Sequence, residues 1–280
     1  MANRSASGWC GIGHDGDAMN AGGVRPLALV TGGCRRLGAA IGAALARAGY
    51  DLAVHCGTHS DPDPALLAAI GDAGAQWAAF SADLADPDQL ASLLPAVIGR
   101  FGRPPAVLVN NAARFDYDSP RDATQRGLLD HYAVNTAAPV LLTQALAAAG
   151  ERAVIVNILD QRVAAPHADQ FSYTLSKLAL SEATAILARH YAPNLRVCAV
   201  APGLTLSAPD LDGDRLAAAA RHMPLARLPE PAEIAGAVLY LVGARSVTGQ
   251  TIFVDAGAHL CRYARDFPFL DDDDSEQRWR

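Results

Sequence analysis

The chain has 280 residues and a formal net charge of −6 at pH 7, with 51% hydrophobic and 19% charged residues. This length allows one large domain or two small ones, and the apolar content excludes a chain that is disordered throughout. The mild acidity and the lack of a clustered basic surface argue against a nucleic-acid partner. No window holds about 18 uninterrupted apolar residues, so no membrane span is predicted.

Five cysteines are scattered along the chain without a C-x-x-C pair: Cys10, Cys34, Cys56, Cys198 and Cys261. An odd number at such spacings suits neither a disulfide framework nor a zinc site, so we expect small hydrophobic side chains and no metal. A reducing compartment is the simpler interpretation, and no secretory signal is visible at the N-terminus. A cytoplasmic protein is therefore expected.

Both ends of the chain lack the apolar periodicity of a packed domain. Residues 1–24 are rich in glycine, and a flexible leader is expected there. Residues 261–280 contain the acidic run Asp271–Asp274, and a polar, solvated tail is expected. Residues 25–260 should form one domain, because no internal break separates a second.

Between these ends, short apolar runs alternate with longer stretches of helical periodicity. The predicted strands are Leu27–Thr31, Leu52–His55, Trp77–Ser81, Ala106–Asn110, Ala153–Ile158, Arg196–Ala201 and Ile252–Asp255. The predicted helices are Leu37–Ala48, Pro64–Ala73, Pro87–Arg100, Thr124–Ala149, Ser172–Tyr191 and Glu230–Val242. Nearly continuous apolar strands are typical of parallel strands buried on both faces. The alternation predicts an α/β fold, a doubly wound sheet of about seven parallel strands with helices on both faces.

A glycine-rich turn, T-G-G-C-R-R-L-G over Thr31–Gly38, lies between the first predicted strand and the first predicted helix. Glycines let the backbone turn sharply and approach a pyrophosphate, whose charge then lies at the positive helix N-terminus. This position in the chain predicts a Rossmann-type dinucleotide site, with a plain tight turn as the alternative.

The end of the second predicted strand bears on the choice of dinucleotide. An NAD site usually has a carboxylate there, whereas the first carboxylate in this chain is Asp61. Arg35 and Arg36 lie in the glycine turn instead. Positively charged side chains with no carboxylate beside them favour the 2′-phosphate of NADPH. NADPH is therefore favoured over NADH, unless both arginines simply face solvent.

Tyr173 and Lys177 are four residues apart at the start of a predicted helix, so their side chains share one face. A lysine ammonium beside a phenol is expected to lower the tyrosine pKa towards a range useful for acid–base catalysis. A tyrosine and a lysine at this spacing are common by chance, so the pair alone means little. It becomes specific together with the glycine turn, Asn110-Asn111-Ala112 after the fourth strand and Pro202-Gly203 after the sixth.

These motifs together resemble the short-chain dehydrogenase/reductase family from about Pro26 to Leu260, some 235 of the 280 residues. The resemblance implies that Asp83 contacts the adenine ring, that Asn135 holds a water in a proton relay with Lys177, and that Lys177 also bonds the nicotinamide ribose. It further implies a homotetramer whose interface uses the two long helices. The expected cofactor residues are Thr31, Gly32, Arg35, Arg36, Leu37, Gly38, Asp83, Leu84, Asn111, Ala112, Tyr173, Lys177, Pro202, Gly203 and Thr205.

One departure from the family pattern points to the substrate. Most members carry serine thirteen residues before the tyrosine, and this chain has Asp160 there. An ionised carboxylate cannot donate to a carbonyl oxygen, but it suits a nitrogen heterocycle that must be protonated. The pteridine and dihydromonapterin reductases, a branch of the family, also have aspartate at this position. By resemblance to them, Arg36 would reach the pyrophosphate and the pterin, and Phe115 would stack on the pterin. The basic residues that some of them carry after the second strand are replaced here by Gly57 and Thr58.

The leading hypothesis is therefore an NADPH-dependent oxidoreductase that reduces a pterin-type small molecule: dihydrobiopterin, dihydromonapterin or dihydrofolate. The expected catalytic residues are Asn135, Asp160, Tyr173 and Lys177, and the expected substrate residues are Arg36, Phe115, Asp160 and Tyr173. His167, Asp169 and Gln170 are further candidates for the pocket lining. In the alternative interpretations, Phe115 anchors its loop under the core, and Asp160 indicates a degenerate site that has lost its activity. The alternative functions are a generic reductase of ketones, sugars or 3-oxoacyl thioesters, and a non-catalytic NADP(H) sensor.

Overall fold

The computed structural model describes residues 23–57, 61–205 and 213–270. The predicted leader up to residue 22, Thr58 and the acidic run Asp271–Asp274 lie outside the described residues. Seven parallel strands form one sheet in the order β3-β2-β1-β4-β5-β6-β7, as predicted. The strands are β1 (Leu27–Val30), β2 (Asp51–Cys56), β3 (Trp77–Ser81), β4 (Val107–Asn110), β5 (Ala153–Ile158), β6 (Leu195–Pro202) and β7 (Thr251–Val254).

The helices lie close to their predicted bounds. They are α1 (Arg36–Arg47), α2 (Pro64–Ala73), α3 (Pro87–Phe101), α4 (Gln125–Tyr132), α5 (Ala138–Ala148), α6 (Phe171–Tyr191), α7 (Gly213–Arg221) and α8 (Pro231–Gly243). Side-chain caps explain where several helices begin. At the start of α3, for example, the carboxylate of Asp86 accepts hydrogen bonds from the backbone N–H groups of Asp88 and Gln89. In the described part of the chain, no helix combines the length and apolar character needed to cross a membrane.

Helices cover both faces of the sheet, and each face has its own hydrophobic core. On one face α1, α2 and α8 pack against alternate strand residues such as Val30 and Val54. On the other face α3, α5 and α6 pack against the intervening residues, such as Leu29 and Leu108. Burial on both faces explains why the central strands are continuously apolar. The loops at the carboxyl ends of the strands are left to form a site.

Two helical features differ from the predictions. The helix predicted over Thr124–Ala149 is interrupted by a π-helical turn at Ala133–Ala137, which separates α4 from α5. Such turns insert a residue and often occur at functional sites, and this one contains the buried Asn135. The helix α7 was not predicted; its sequence is polar apart from a short alanine run, and only Ala219 is buried.

The expectation that the cysteines are only small hydrophobic residues is wrong for one pair. Cys34 in the glycine turn and Cys56 at the end of β2 form a disulfide, with their Cα atoms 5.6 Å apart. Since β1 and β2 are paired neighbours, the turn that follows β1 lies beside the end of β2. Sequence spacing could not reveal this proximity, which comes from strand pairing. Cys198 is a buried free thiol, as expected for a small core residue.

Candidate active site

A cavity of about 850 Å³ lies at the carboxyl ends of the central strands. Its lining comes from the glycine turn after β1, the loop after β4, the end of β5 with the 3-10 turn that follows it, the start of α6, the loop after β6 and Arg215 of α7. The C-terminal segment, residues 265–269, contributes Asp266, Pro268 and Phe269. The lining includes these predicted residues: Gly32, Arg35, Arg36, Leu37, Gly38, Asn111, Ala112, Phe115, Asp160, Gln170, Tyr173, Lys177, Pro202, Gly203 and Thr205. Six candidates lie outside this lining: Thr31, Asp83, Leu84, Asn135, His167 and Asp169.

Two glycines give the turn after β1 its tight path. Gly32 has φ +59°, and a Cβ atom on it would lie 3.0 Å from Cα of Ala112. A Cβ atom on Gly38 would lie only 2.1 Å from the carbonyl oxygen of Gly32. Any side chain at these positions would push the turn away from α1 and from the loop after β4. The backbone therefore passes close to the cavity at the N-terminus of α1, the arrangement that favours bound phosphates.

Polar side chains behind the turn fix its position. The hydroxyl of Thr31 accepts from the backbone N–H groups of Asn111 and Ala112, each over 3.0 Å. The side-chain amide of Asn111 donates back to the carbonyls of Thr31 and Gly32 over 2.9 and 3.0 Å. Thr31 and Asn111 therefore join the first turn to the loop after β4, whatever further contact they make with a ligand.

His55 supports the same turn and was not identified as a site residue from the sequence. Its Nδ1 accepts from the N–H of Gly32 over 3.1 Å, and its Nε2 lies 3.0 Å from the carbonyl oxygen of Ala82. Burial lowers the pKa of His55, which favours a neutral ring. A neutral ring can accept at Nδ1 and donate at Nε2, so its tautomer matches both neighbours.

Arg35 and Arg36 both border the cavity at the mouth of the turn. Arg36 has φ +51°, a left-handed conformation that is uncommon for a residue other than glycine. Arg35 Nε donates to the carbonyl oxygen of Asp61 over 3.5 Å. Backbone strain of this kind is found at binding sites, where the surrounding structure maintains it.

The start of α6 brings Tyr173 and Lys177 to the cavity. The hydroxyl of Tyr173 donates to Oδ2 of Asp160 over 3.0 Å, and Lys177 Nζ donates to the carbonyl oxygen of Ile158 over 2.6 Å. The ring of Phe115 meets that of Tyr173 edge-on, with centroids 4.6 Å apart. Phe115 is 47% exposed, so it is not an anchor buried under the core. The structure thus brings the phenol, the carboxylate, the amine and a half-exposed aromatic ring together.

The charge environment of Tyr173 corrects one prediction. Burial, and then the negative charge of Asp160, raise the pKa of Tyr173 well above 10, although Arg162 acts in the opposite direction. Burial lowers the pKa of Lys177 to about 8, and Asp160 opposes this only in part. The expected lowering of the tyrosine pKa by Lys177 is therefore wrong for this structure, because burial and the nearby anion raise the pKa and the cation that opposes them is Arg162. A phenol in this environment is protonated at neutral pH and is a weaker acid than free tyrosine.

Asn135 contacts the loop that carries Phe115. Its Oδ1 accepts from the N–H of Arg114 over 2.7 Å, and its Nδ2 donates to the carbonyl of Arg114 and to Oγ of Ser176, each over 2.9 Å. The amide group thus ties this loop to α6. The role of Asn135 in a proton relay with Lys177 stays a prediction.

Arg162 is the main site residue that the sequence did not reveal. It follows β5 in a short 3-10 turn and is only 5% exposed. Its Nε donates to Nε2 of His167 over 3.0 Å, and its Nη2 donates to the carboxylate of Asp266. Its Nε lies 3.9 Å from Oδ1 of Asp160. Burial alone would lower the pKa of Arg162, but the charges of Asp160 and Asp266 outweigh it and raise the pKa.

The segment expected to begin a solvated tail instead forms one wall of the cavity. Asp266 and Phe267 are buried, and Pro268 and Phe269 border the cavity. Asp169 fixes this segment, because its carboxylate accepts from the backbone N–H of Asp266 over 2.8 Å. The prediction that the domain ends at residue 260 is therefore wrong for residues 265–269, because the apolar residues of this segment are largely buried.

Asp169 also joins this wall to the opposite rim of the cavity. It accepts from the hydroxyl of Tyr117 over 3.1 Å and from Arg265 Nη2 over 3.2 Å. The rings of Tyr117 and Phe269 meet edge-on, with centroids 6.2 Å apart. Of the three pocket candidates before Tyr173, only Gln170 borders the cavity, while His167 and Asp169 hold the C-terminal segment from behind.

Comparison with known proteins agrees with this geometry. The family described as enoyl-(acyl carrier protein) reductase matches residues 33–259. An uncharacterized oxidoreductase of Mycobacterium tuberculosis is 32% identical over 243 residues, covering 82% of this chain and 91% of that protein. The 3-oxoacyl-(acyl-carrier-protein) reductase FabG of Staphylococcus aureus is 30% identical over 249 residues, covering 83% and 98%. The chain belongs to the short-chain dehydrogenase/reductase family.

Two similar solved structures carry a more specific description. FolM alternative dihydrofolate reductase 1 from Brucella suis, in complex with NADP, is 37% identical with a TM-score of 0.80, over 85% of this chain and 96% of that one. The protein of the same description from Brucella canis, complexed with NADP, is also 37% identical, with a TM-score of 0.77 over 84% and 95%. This chain is thus an oxidoreductase of the family, similar both to 3-oxoacyl reductases and to a dihydrofolate reductase.

Proposed function

We propose that this protein is an NADPH-dependent reductase of a pterin-type substrate, such as dihydrobiopterin, dihydromonapterin or dihydrofolate. The observation that carries the proposal is the 3.0 Å hydrogen bond from Tyr173 to Asp160, at the position where most of the family has serine. A carboxylate there cannot donate to a carbonyl oxygen, but it can support protonation of a ring nitrogen. The similarity to FolM from two Brucella species supports the same substrate class.

The residues present fit a nicotinamide dinucleotide phosphate. The cradle between Gly32 and Gly38 has no room for a Cβ atom, and it lies at the N-terminus of α1, where phosphates are favoured. Arg35 and Arg36 border the cavity and would hold the 2′-phosphate and the pyrophosphate, while Lys177 would hold the nicotinamide ribose. When bound, NADPH supplies the hydride that reduces a C=N bond of the substrate.

The protein supplies the proton and the orientation. The phenol of Tyr173 is protonated at neutral pH. Hydride addition to the carbon of a C=N bond leaves negative charge on the nitrogen, and that nitrogen becomes basic enough to take the proton from the hydroxyl. Asp160 fixes that hydroxyl before reaction and offers an acceptor for an N–H group of the substrate. The half-exposed ring of Phe115 provides a flat apolar surface for a planar heterocycle.

Reduction of a 3-oxoacyl thioester is the second candidate function. The similarity to FabG of Staphylococcus aureus favours it, with 30% identity over nearly the whole of that protein. It would require Tyr173 alone to donate to the substrate oxygen, because Asp160 cannot donate when ionised. We rank it lower for this reason.

A substrate panel tests the proposal. NADPH oxidation would be followed with dihydrobiopterin, dihydromonapterin, dihydrofolate, a 3-oxoacyl thioester and no substrate. We expect at least one dihydropterin to give a kcat/KM at least about a hundredfold above that of the thioester, a difference of about 2.7 kcal/mol in transition-state stabilisation. A higher value for the thioester would replace the proposal with carbonyl reduction. NADPH binding without turnover of any substrate would favour a non-catalytic sensor.

A further inference from the structure

Arg162 is a buried cation that the proton transfer proposed above does not use. Its guanidinium carbon lies 5.4 Å from the ring centre of Phe115 and 5.6 Å from that of Tyr173. It therefore contacts both aromatic rings of the substrate side of the cavity. Its backbone N–H donates to Oδ1 of Asp160 over 3.0 Å, so the 3-10 turn and the carboxylate are also joined through the main chain.

Three charged groups form a chain that leads from the cavity to the C-terminal segment. All three border the cavity: Asp160 lies beside Arg162, and Asp266 bonds another nitrogen of the guanidinium. Burial alone would raise the pKa of Asp266, but the charge of Arg162 and the hydrogen bond with His167 lower it to about 2. The Asp266 carboxylate is therefore ionised throughout the neutral range and holds Arg162 in place.

The carboxylate of Asp160 needs such a cation. Asp160 is largely enclosed, and an unbalanced anion in that position would be expensive to desolvate. Lys177, another cation of the cavity, donates to the carbonyl of Ile158 rather than to Asp160. Among the described residues, the ion pair of Asp160 is with Arg162.

We propose that Arg162 is a positioning residue that acts through Asp160, and that Asp266 makes the C-terminal segment a required part of the active site. Arg162 balances the charge of Asp160 and keeps its Oδ2 directed at the hydroxyl of Tyr173. The inference rests on the proposed function, because it assigns Arg162 to the Asp160–Tyr173 pair that protonates the substrate.

A double-mutant cycle tests the coupling, with kcat and KM for the dihydropterin and the Kd of NADPH as readouts. Arg162→Gln should lower kcat about 100-fold in the native background, the scale of a lost acid–base partner. In the Asp160→Asn background, Arg162→Gln should lower kcat by less than about threefold, because the carboxylate through which Arg162 acts is absent. The Kd of NADPH should stay within about twofold in all four proteins. Arg162→Lys, which keeps the charge, should recover kcat to within about tenfold of the native value.

Matched variants separate positioning from folding. Arg103→Gln removes another partly buried arginine, which bonds Asp51 over 2.6 Å at the opposite end of the sheet. It should lower the Tm and leave kcat within about twofold. Should Arg162→Gln fail to fold, the cycle would be run with Asp266→Asn added, since that pair of changes removes both buried charges together.

The outcomes distinguish the two proposals. A native protein that reduces no dihydropterin contradicts the proposed function and the inference with it. An active native protein in which Arg162→Gln lowers kcat equally in both backgrounds contradicts the inference alone. So does a kcat for Arg162→Gln within about twofold of the native value.

Discussion

The hydroxyl of Tyr173 donates a hydrogen bond to Oδ2 of Asp160, which lies thirteen residues earlier in the chain. Asp160 caps the 3-10 turn that follows β5, and Tyr173 lies in the first turn of α6. The carboxylate receives the one hydrogen that the phenol can give, so that hydrogen points at Asp160 before a substrate arrives. A substrate nitrogen must compete with Asp160 for it, and this requirement leads to the first prediction.

Asp160→Ser should lower dihydropterin turnover about 100-fold, because it removes the acceptor that orients the phenol. Reduction of a simple activated ketone should rise or stay level, since a serine hydroxyl can donate to a carbonyl oxygen. The protein should stay folded and bind NADPH, as judged by circular dichroism and fluorescence titration. Tyr173→Phe is the control and should abolish both activities. Unchanged pterin reduction in Asp160→Ser would make the aspartate incidental and favour a generic carbonyl reductase.

The cofactor prediction concerns the arginines of the glycine turn. We expect the Kd of NADPH to be at least about tenfold below that of NADH, about 1.4 kcal/mol, because cations suit the 2′-phosphate. Arg35→Gln should remove most of this preference while leaving the Kd of NADH within about twofold, because Arg36, which would reach the pyrophosphate common to both dinucleotides, is kept. Arg47→Gln, at the far end of α1, is the matched control. Equal affinities for the two dinucleotides in the native protein would contradict the prediction.

The lowered pKa of Asp266 leads to the prediction that the folded protein loses stability in acid. Its pKa is lowered from 3.8 to about 2 in the folded chain, so its contribution is complete above about pH 4 and disappears as the pH falls through 2. The shift corresponds to about 2 kcal/mol in the free energy of unfolding. Urea unfolding between pH 2 and pH 6 should therefore show a gap between the native protein and Asp266→Asn that narrows towards pH 2. Asp72→Asn, with an exposed side chain on α2, should follow the native protein. A constant gap would contradict the prediction.

The faces of α4, α5 and α6 predict self-association. Large apolar side chains are exposed there: Leu129, Tyr132, Leu141, Leu175 and Ile186. Apolar surface of this kind is typical of an interface between subunits, and we expect a homotetramer or at least a dimer. Leu129→Glu with Ile186→Glu should dissociate it, whereas Leu67→Glu on α2 should not. Light scattering that gives only the 29.2 kDa monomer for the native protein at micromolar concentration would contradict the prediction.

The sequence was sufficient for the architecture because the signals for it are local. Each strand is a short apolar run, and each predicted helix has its own periodicity. Some helices also have a side-chain cap, as the start of α3 at Asp86 illustrates. The four-residue spacing was likewise sufficient to predict that Tyr173 and Lys177 share one helix face. These features depend on neighbours a few residues away, which a single sequence contains. That the pair shares a cavity with the distant glycine turn was implied by the family resemblance.

The supporting contacts were not predictable because they join distant parts of the chain. Arg162 and Asp266 are 104 residues apart, and nothing near either residue indicates its partner. His55 is an ordinary strand residue until the turn after β1 is placed beside it. The pKa of Tyr173 depends on how deeply the phenol is buried, a quantity that the four-residue spacing to Lys177 does not contain.

The wide separation between Arg162 and Asp266 also has a consequence for synthesis on the ribosome. The strand β5 and the turn that carries Arg162 emerge 104 residues before Asp266 does. During that interval the guanidinium lacks its carboxylate partner, and burying it would be costly. We therefore expect the nascent chain to form its sheet first and to close the active site last, when the C-terminal segment emerges. Catalytic competence would then mark the end of folding rather than the assembly of the sheet.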